Sequence, residues 1–172
     1  MNLREEILKE HSKKQTMKLV KFIGNDAKKF KMLMNLFFND EYRVVQRSAW
    51  VVNNCAENYP ELIKPFIKKM IAYLQKPVHD AVRRNTVRIL QFIDIPKNLT
   101  GQVATVCFDL LQSKTEPVAV KIFSMTVLAK ICKTEPGMKN ELRLLIEQQL
   151  PYSTAGFLSR AKKILKQLDS EK

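Results

Sequence analysis

Glycine is scarce in this chain. The four glycines stand apart from one another, so no glycine-rich loop is available to cradle a phosphate. Histidine is rarer still, and His11 and His79 lie far apart with no CxxC pair to join them, which argues against a zinc site. Cys55, Cys107 and Cys132 are odd in number and each sits in an apolar helical context. Buried reduced thiols are therefore expected in place of a disulfide framework. No apolar run approaches the roughly 18 residues that span a bilayer. The N-terminal MNLREEILKEHSKK also lacks the apolar core of a signal peptide. The expectation is a cytoplasmic monomer with no membrane insertion. No Ser-His-Asp or Cys-His set can be assembled without arbitrary choice. No catalytic residue, metal or cofactor is expected.

Negative charge is the last shortage. Seventeen Asp and Glu face thirty Lys and Arg, a net charge of +13. An excess of this size draws in phosphates, anionic membrane or acidic proteins, although net charge alone does not locate a site.

What the chain does have is self-similarity. The segment VRRNTVRILQFI from Val82 to Ile93 is a near copy of SKKQTMKLVKFI from Ser12 to Ile23, 70 residues earlier. In register, Thr16 meets Thr86, Phe22 meets Phe92 and Ile23 meets Ile93. Similar segments start at Val45, Val120 and Phe157, giving steps of 37, 38 and 37 residues from Val45 onward. Five such segments at a period in the middle thirties indicate a repeat architecture.

The apolar spacing between them is helical throughout, and all seven prolines fall near expected helix boundaries. Gly24 to Asp26 reads as a stop followed by a new N-cap. Pro60 fits the first turn of a helix running to Lys76, with Pro65 producing a small kink near its start. Residues 1–24 are expected to form a capping helix or half repeat. Helix pairs are expected at 25–58, 59–94, 95–133 and 134–169, all within one domain.

Paired helices of this length cannot bury their apolar faces alone and must stack on their neighbours. With its period, its helix pairing, a proline opening the first helix and steps such as Val82-Arg83 and Val120-Lys121 in the second, the chain resembles the HEAT and armadillo class of α-solenoids over nearly its full length. The resemblance implies an all-α, right-handed α-α superhelix of about four helix pairs plus the N-terminal helix. It also implies an inner, concave layer made by the second helix of each pair, where members of the class usually bind.

Placing Val82 at the centre of the buried face and advancing about 100° per residue turns Thr86, Ile89 and Ile93 inward. Arg84, Val87, Arg88 and Gln91 then face the groove. The equivalent positions are Arg47, Trp50, Val51 and Asn54, with Arg43 one turn earlier, and Lys14, Met17, Lys18 and Lys21 in the N-terminal copy. The candidate binding residues are therefore Lys14, Lys18, Lys21, Arg43, Arg47, Trp50, Asn54, Arg84, Arg88 and Gln91. Cations on neighbouring helices can follow a phosphate backbone, and an indole among them can stack on a base. Lys28, Lys29, Lys31, Lys64, Lys68 and Lys69 belong to first helices and fall outside this groove.

The leading expectation is a non-enzymatic scaffold whose basic concave face holds an acidic protein or a nucleic acid. In VAVKIFSMTVLAKI, Ile122, Met125 and Ala129 take the positions of Arg84, Val87 and Gln91. Their apolar character motivates the alternative of a protein-protein adaptor with an apolar groove. Trp50 with a polar residue one turn later is also similar in outline to the HEAT-like alkylpurine DNA glycosylases. That residue is Asn54, where the family's chemistry requires a carboxylate, and Asp80 and Asp94 are the remaining acidic candidates.

Overall fold

The computed structural model describes residues 1–170. They form two compact units, Met1–Ile93 and the chain from Asp94 onward. Among the described residues there are ten α-helices and no strand, the all-α architecture expected from the sequence. The first unit holds α1 (Leu3–Lys9), α2 (Lys13–Ile23), α3 (Ala27–Asn39), α4 (Tyr42–Asn58), α5 (Ile67–Leu74) and α6 (Asp80–Leu90). The second holds α7 (Thr100–Gln112), α8 (Val118–Ile131), α9 (Lys139–Gln149) and α10 (Ala155–Ser170).

Local chemistry sets most of the boundaries. Gly24 ends α2 with φ +53°, and its N–H donates to the Val20 carbonyl at 2.8 Å. A side chain in this left-handed region is strained, so glycine suits the position. Two residues on, the Asp26 carboxylate accepts from the N–H groups of Lys28 and Lys29 and starts α3.

Residues 1–24 hold two helices, separated at the polar stretch that begins at His11. The Ser12 hydroxyl accepts from the Gln15 N–H at 3.1 Å and caps a new helix after an extended residue at Glu10. The expected helix from Pro60 to Lys76 is shorter. Two 3-10 turns, Pro60–Leu62 and Lys64–Phe66, precede α5. Pro65 has no N–H to give, and its ring excludes the carbonyl of residue i−4, so the α ladder begins only beyond it.

The five similar segments share their burial at the fifth and eighth positions, and four of them also at the first, where the N-terminal copy has the capping Ser12. Val45, Val82, Val120 and Phe157 are buried at the first position, and Leu19, Val52, Ile89, Val127 and Ile164 at the eighth. Between them, at the fifth position, lie Thr16, Ala49, Thr86, Ser124 and Ala161, all small and all buried. Small side chains at this point let neighbouring helices approach closely.

In the first unit α4 is central, packing against α1, α2, α3 and α6. In the second, α8 packs against α7, α9 and α10. Phe30 and Phe37 on α3 are completely enclosed against this core. Burial of each contributes on the order of 2–3 kcal/mol.

Thr86 is the exception within the small column. Thr16 and Ser124 return their hydroxyls to the carbonyls of Ser12 and Val120, at 2.9 and 2.8 Å. The Thr86 hydroxyl is fully buried and has no partner among the described residues. Thr86→Val keeps the shape and removes the orphan. It should raise stability by about 1 kcal/mol, read as a higher urea midpoint with an unchanged slope.

Candidate binding face

The second helices of the first three pairs, α2, α4 and α6, lie side by side with α4 in the middle. Across the α4–α6 seam the Asn53 amide donates to Asn85 Oδ1, and Arg88 pairs with Glu57 at 3.2 Å. The solvent-facing stripe of α2 carries Lys14, Met17, Lys18 and Lys21, all exposed. That of α4 carries exposed Arg43 and half-buried Arg47, Trp50 and Asn54, and that of α6 carries exposed Arg84 and half-buried Arg88 and Gln91. The ten candidate residues are thus distributed over three adjacent helices.

Their chemical states differ. Lys14, Lys21, Arg43 and Arg84 are exposed and have no side-chain partner among the described residues. Lys18 is bound to Glu6 at 2.9 Å. Asn54 donates to the Trp50 carbonyl and Gln91 to the Arg88 carbonyl, so both amides are turned back on their own helices. Trp50 meets the His11 ring at a centroid distance of 5.4 Å and an angle of 37°. The contact depends on the chain doubling back between α1 and α2, and no sequence spacing signals it.

Arg47 has a structural task. Its guanidinium donates to the carbonyls of Ile7 and Leu8 at 3.3 and 2.7 Å, and Gln15 donates to the Glu6 carbonyl at 2.7 Å. These are last-turn carbonyls of α1, which have no partners inside the helix. A cation there also complements the negative end of the helix dipole.

Glu6 anchors the same corner. Its side chain is mostly covered, and it accepts from Lys9, from Lys18, and from Gln15 at 3.1 Å. Lys9 first, then Lys18 and Gln15, hold its carboxyl down at about 2, against an ordinary value of 4.5. Because the folded value is depressed, the resulting stability is present above pH 4.5 and lost as pH falls toward about 2. Parent and Glu6→Gln should therefore differ in melting temperature at neutral pH and converge across that acidic window.

Two groups of expected groove residues lie elsewhere. Val51 and Val87 are buried, because an inner helix packs on both its own pair mate and the neighbouring second helix, so the apolar arc is wider than one stripe. On α8, Met125 and Ala129 are likewise buried and Ile122 is partly open. Packing of α8 against three helices encloses Met125 and Ala129, while Val118, Ile122 and Phe123 stay partly open.

Burial pushes the Cys55 and Cys107 thiols up to about 12, which removes them as nucleophiles. No group of three or more His, Cys, Asp or Glu among the described residues could hold a metal ion.

Helix pairs in this register run through both units, and the family model described as HEAT repeat domain matches residues 3–168. The chain belongs to that family. No curated protein and no solved structure matches it. HEAT repeats generally serve as scaffolds for protein interaction. No helix among the described residues is long and apolar enough to cross a membrane. In this HEAT repeat chain the functional question is therefore which surface binds, and what chemistry it offers.

Proposed function

We propose that the α2, α4 and α6 face is a binding surface for a phosphate-rich or acidic macromolecule, with nucleic acid as the favoured occupant. The observation that carries this reading is the unpartnered set Lys14, Lys21, Arg43 and Arg84 on three neighbouring helices. Packed helices lie roughly 8–10 Å apart, and Lys14 and Lys21 are about 10 Å apart along one axis. The cations thus form a two-dimensional array that suits a phosphate backbone better than a single carboxylate.

Recognition on this face is by charge. Trp50 is half-buried and already engaged by His11, and the Asn54 and Gln91 amides are committed to backbone carbonyls. Binding should therefore be independent of base sequence and steeply salt-dependent. The Asn54 amide also supplies no negative charge for glycosylase chemistry, which favours holding a nucleic acid over releasing a base from it.

Fluorescence anisotropy at low salt against duplex DNA, single-stranded DNA, RNA and polyglutamate tests this reading. Nucleic acids of unrelated sequence should bind alike and more tightly than polyglutamate. Tighter binding of polyglutamate would transfer the face to an acidic protein, and no binding of any of the four would remove the proposal.

A further inference from the structure

On the side of α3 turned away from α4, a groove of about 510 Å³ runs between α1 and α3. Leu3 and Leu36 contribute to its lining, and Met32 lines it while remaining 57% exposed. Lys28 and Lys31 stand along it on the same helix, with side chains that have no partner among the described residues. Arg4 lies at the other side but is already bound to Asp40 at 2.9 Å and Glu41 at 3.2 Å. Unneutralised charge at the groove is therefore positive and comes from α3.

We infer that this groove is a docking site for an acidic amphipathic helix of a partner protein, separate from the basic face of α2, α4 and α6. Three features select that occupant. Residues 28 to 36 of α3 extend about 12 Å, close to the 10.5 Å or so between positions i and i+7 of a facing helix. Apolar anchors would lie on exposed Met32 and half-buried Leu36, over the edge of buried Leu3 at the base of the groove, as in other helix-in-groove contacts. Met32 is unbranched and polarisable, so it adapts to such anchors, while Lys28 and Lys31 favour Asp and Glu on the flank of the incoming helix and oppose Lys and Arg.

The inference does not rest on the nucleic-acid reading. The two can fail separately.

The test is a selection from displayed helical peptides with leucine fixed at i, i+3 and i+7 and the other positions free. Asp and Glu should dominate the flanks of the recovered peptides. A synthetic copy of the leading peptide should bind at least tenfold more weakly to Met32→Glu and to Lys28→Glu/Lys31→Glu. It should bind Lys14→Glu/Lys21→Glu/Arg84→Glu as well as the parent. All of these positions are exposed, and far-UV circular dichroism should be unchanged in each variant.

Failure to enrich any peptide, recovery of basic flanks, or equal affinity for the groove variants would overturn the inference. So would loss of binding confined to the α2 and α6 variant. Binding of anionic lipid vesicles through Met32, with no peptide enriched, would overturn it as well and assign the groove to a lipid.

Discussion

Lys14→Glu/Lys21→Glu/Arg84→Glu should bind duplex DNA on the order of a hundredfold more weakly than the parent at low salt, with its helical circular dichroism unchanged. Each of these side chains is exposed and none has a partner among the described residues, so the fold loses no bond. The three cations come from α2 and α6, on either side of α4. Reversal therefore removes attraction at both edges of the array and adds repulsion there. A chain with a charge of +13 attracts DNA weakly everywhere, so a matched control is needed. Lys68→Glu/Lys162→Glu/Lys163→Glu changes the net charge equally at exposed positions outside α2, α4 and α6. It should cost only a few-fold.

The second large effect concerns stability. Arg47→Ala should destabilise the first unit by about 2–3 kcal/mol, because it removes a charged donor from two carbonyls and leaves them without a bond. A helix as short as α1 is marginal by itself, and Leu3 and Ile7 are its only fully buried apolar residues. Amide hydrogen exchange should therefore show protection lost first across Leu3–Lys9. Arg47→Lys should recover only part of it, since one ammonium cannot reproduce the planar fork that reaches both carbonyls. The same result would separate Arg47 from the binding cations, because its loss should lower stability more than affinity.

Period and register were readable from the sequence because they depend on local chemistry. The alignment of Thr16 with Thr86 and Ile23 with Ile93 predicts burial at each, and each is buried. Gly24 and Asp26 likewise mark a boundary through bonds made within a few residues. Failures occur where a side chain's partner comes from another part of the fold. Arg47 and Arg84 look alike in a helical projection, yet only Arg47 lies beside the end of α1. Met125 and Ala129 on α8 occupy groove positions by counting, but packing against three helices buries both. The 3-10 start of the third pair is a milder case, because the sequence contained Pro65 but not the extent of its effect. Lys28 and Lys31 lie on α3, and the groove they border depends on how α1 lies along that helix.

The salt dependence of duplex DNA binding tests the central claim most directly. Four unpartnered cations on α2, α4 and α6 predict a log-log slope of affinity against salt near −3.6, reduced to about −1 when Lys14, Lys21 and Arg84 are reversed. A slope near zero, or the same slope in parent and variant, would contradict the account.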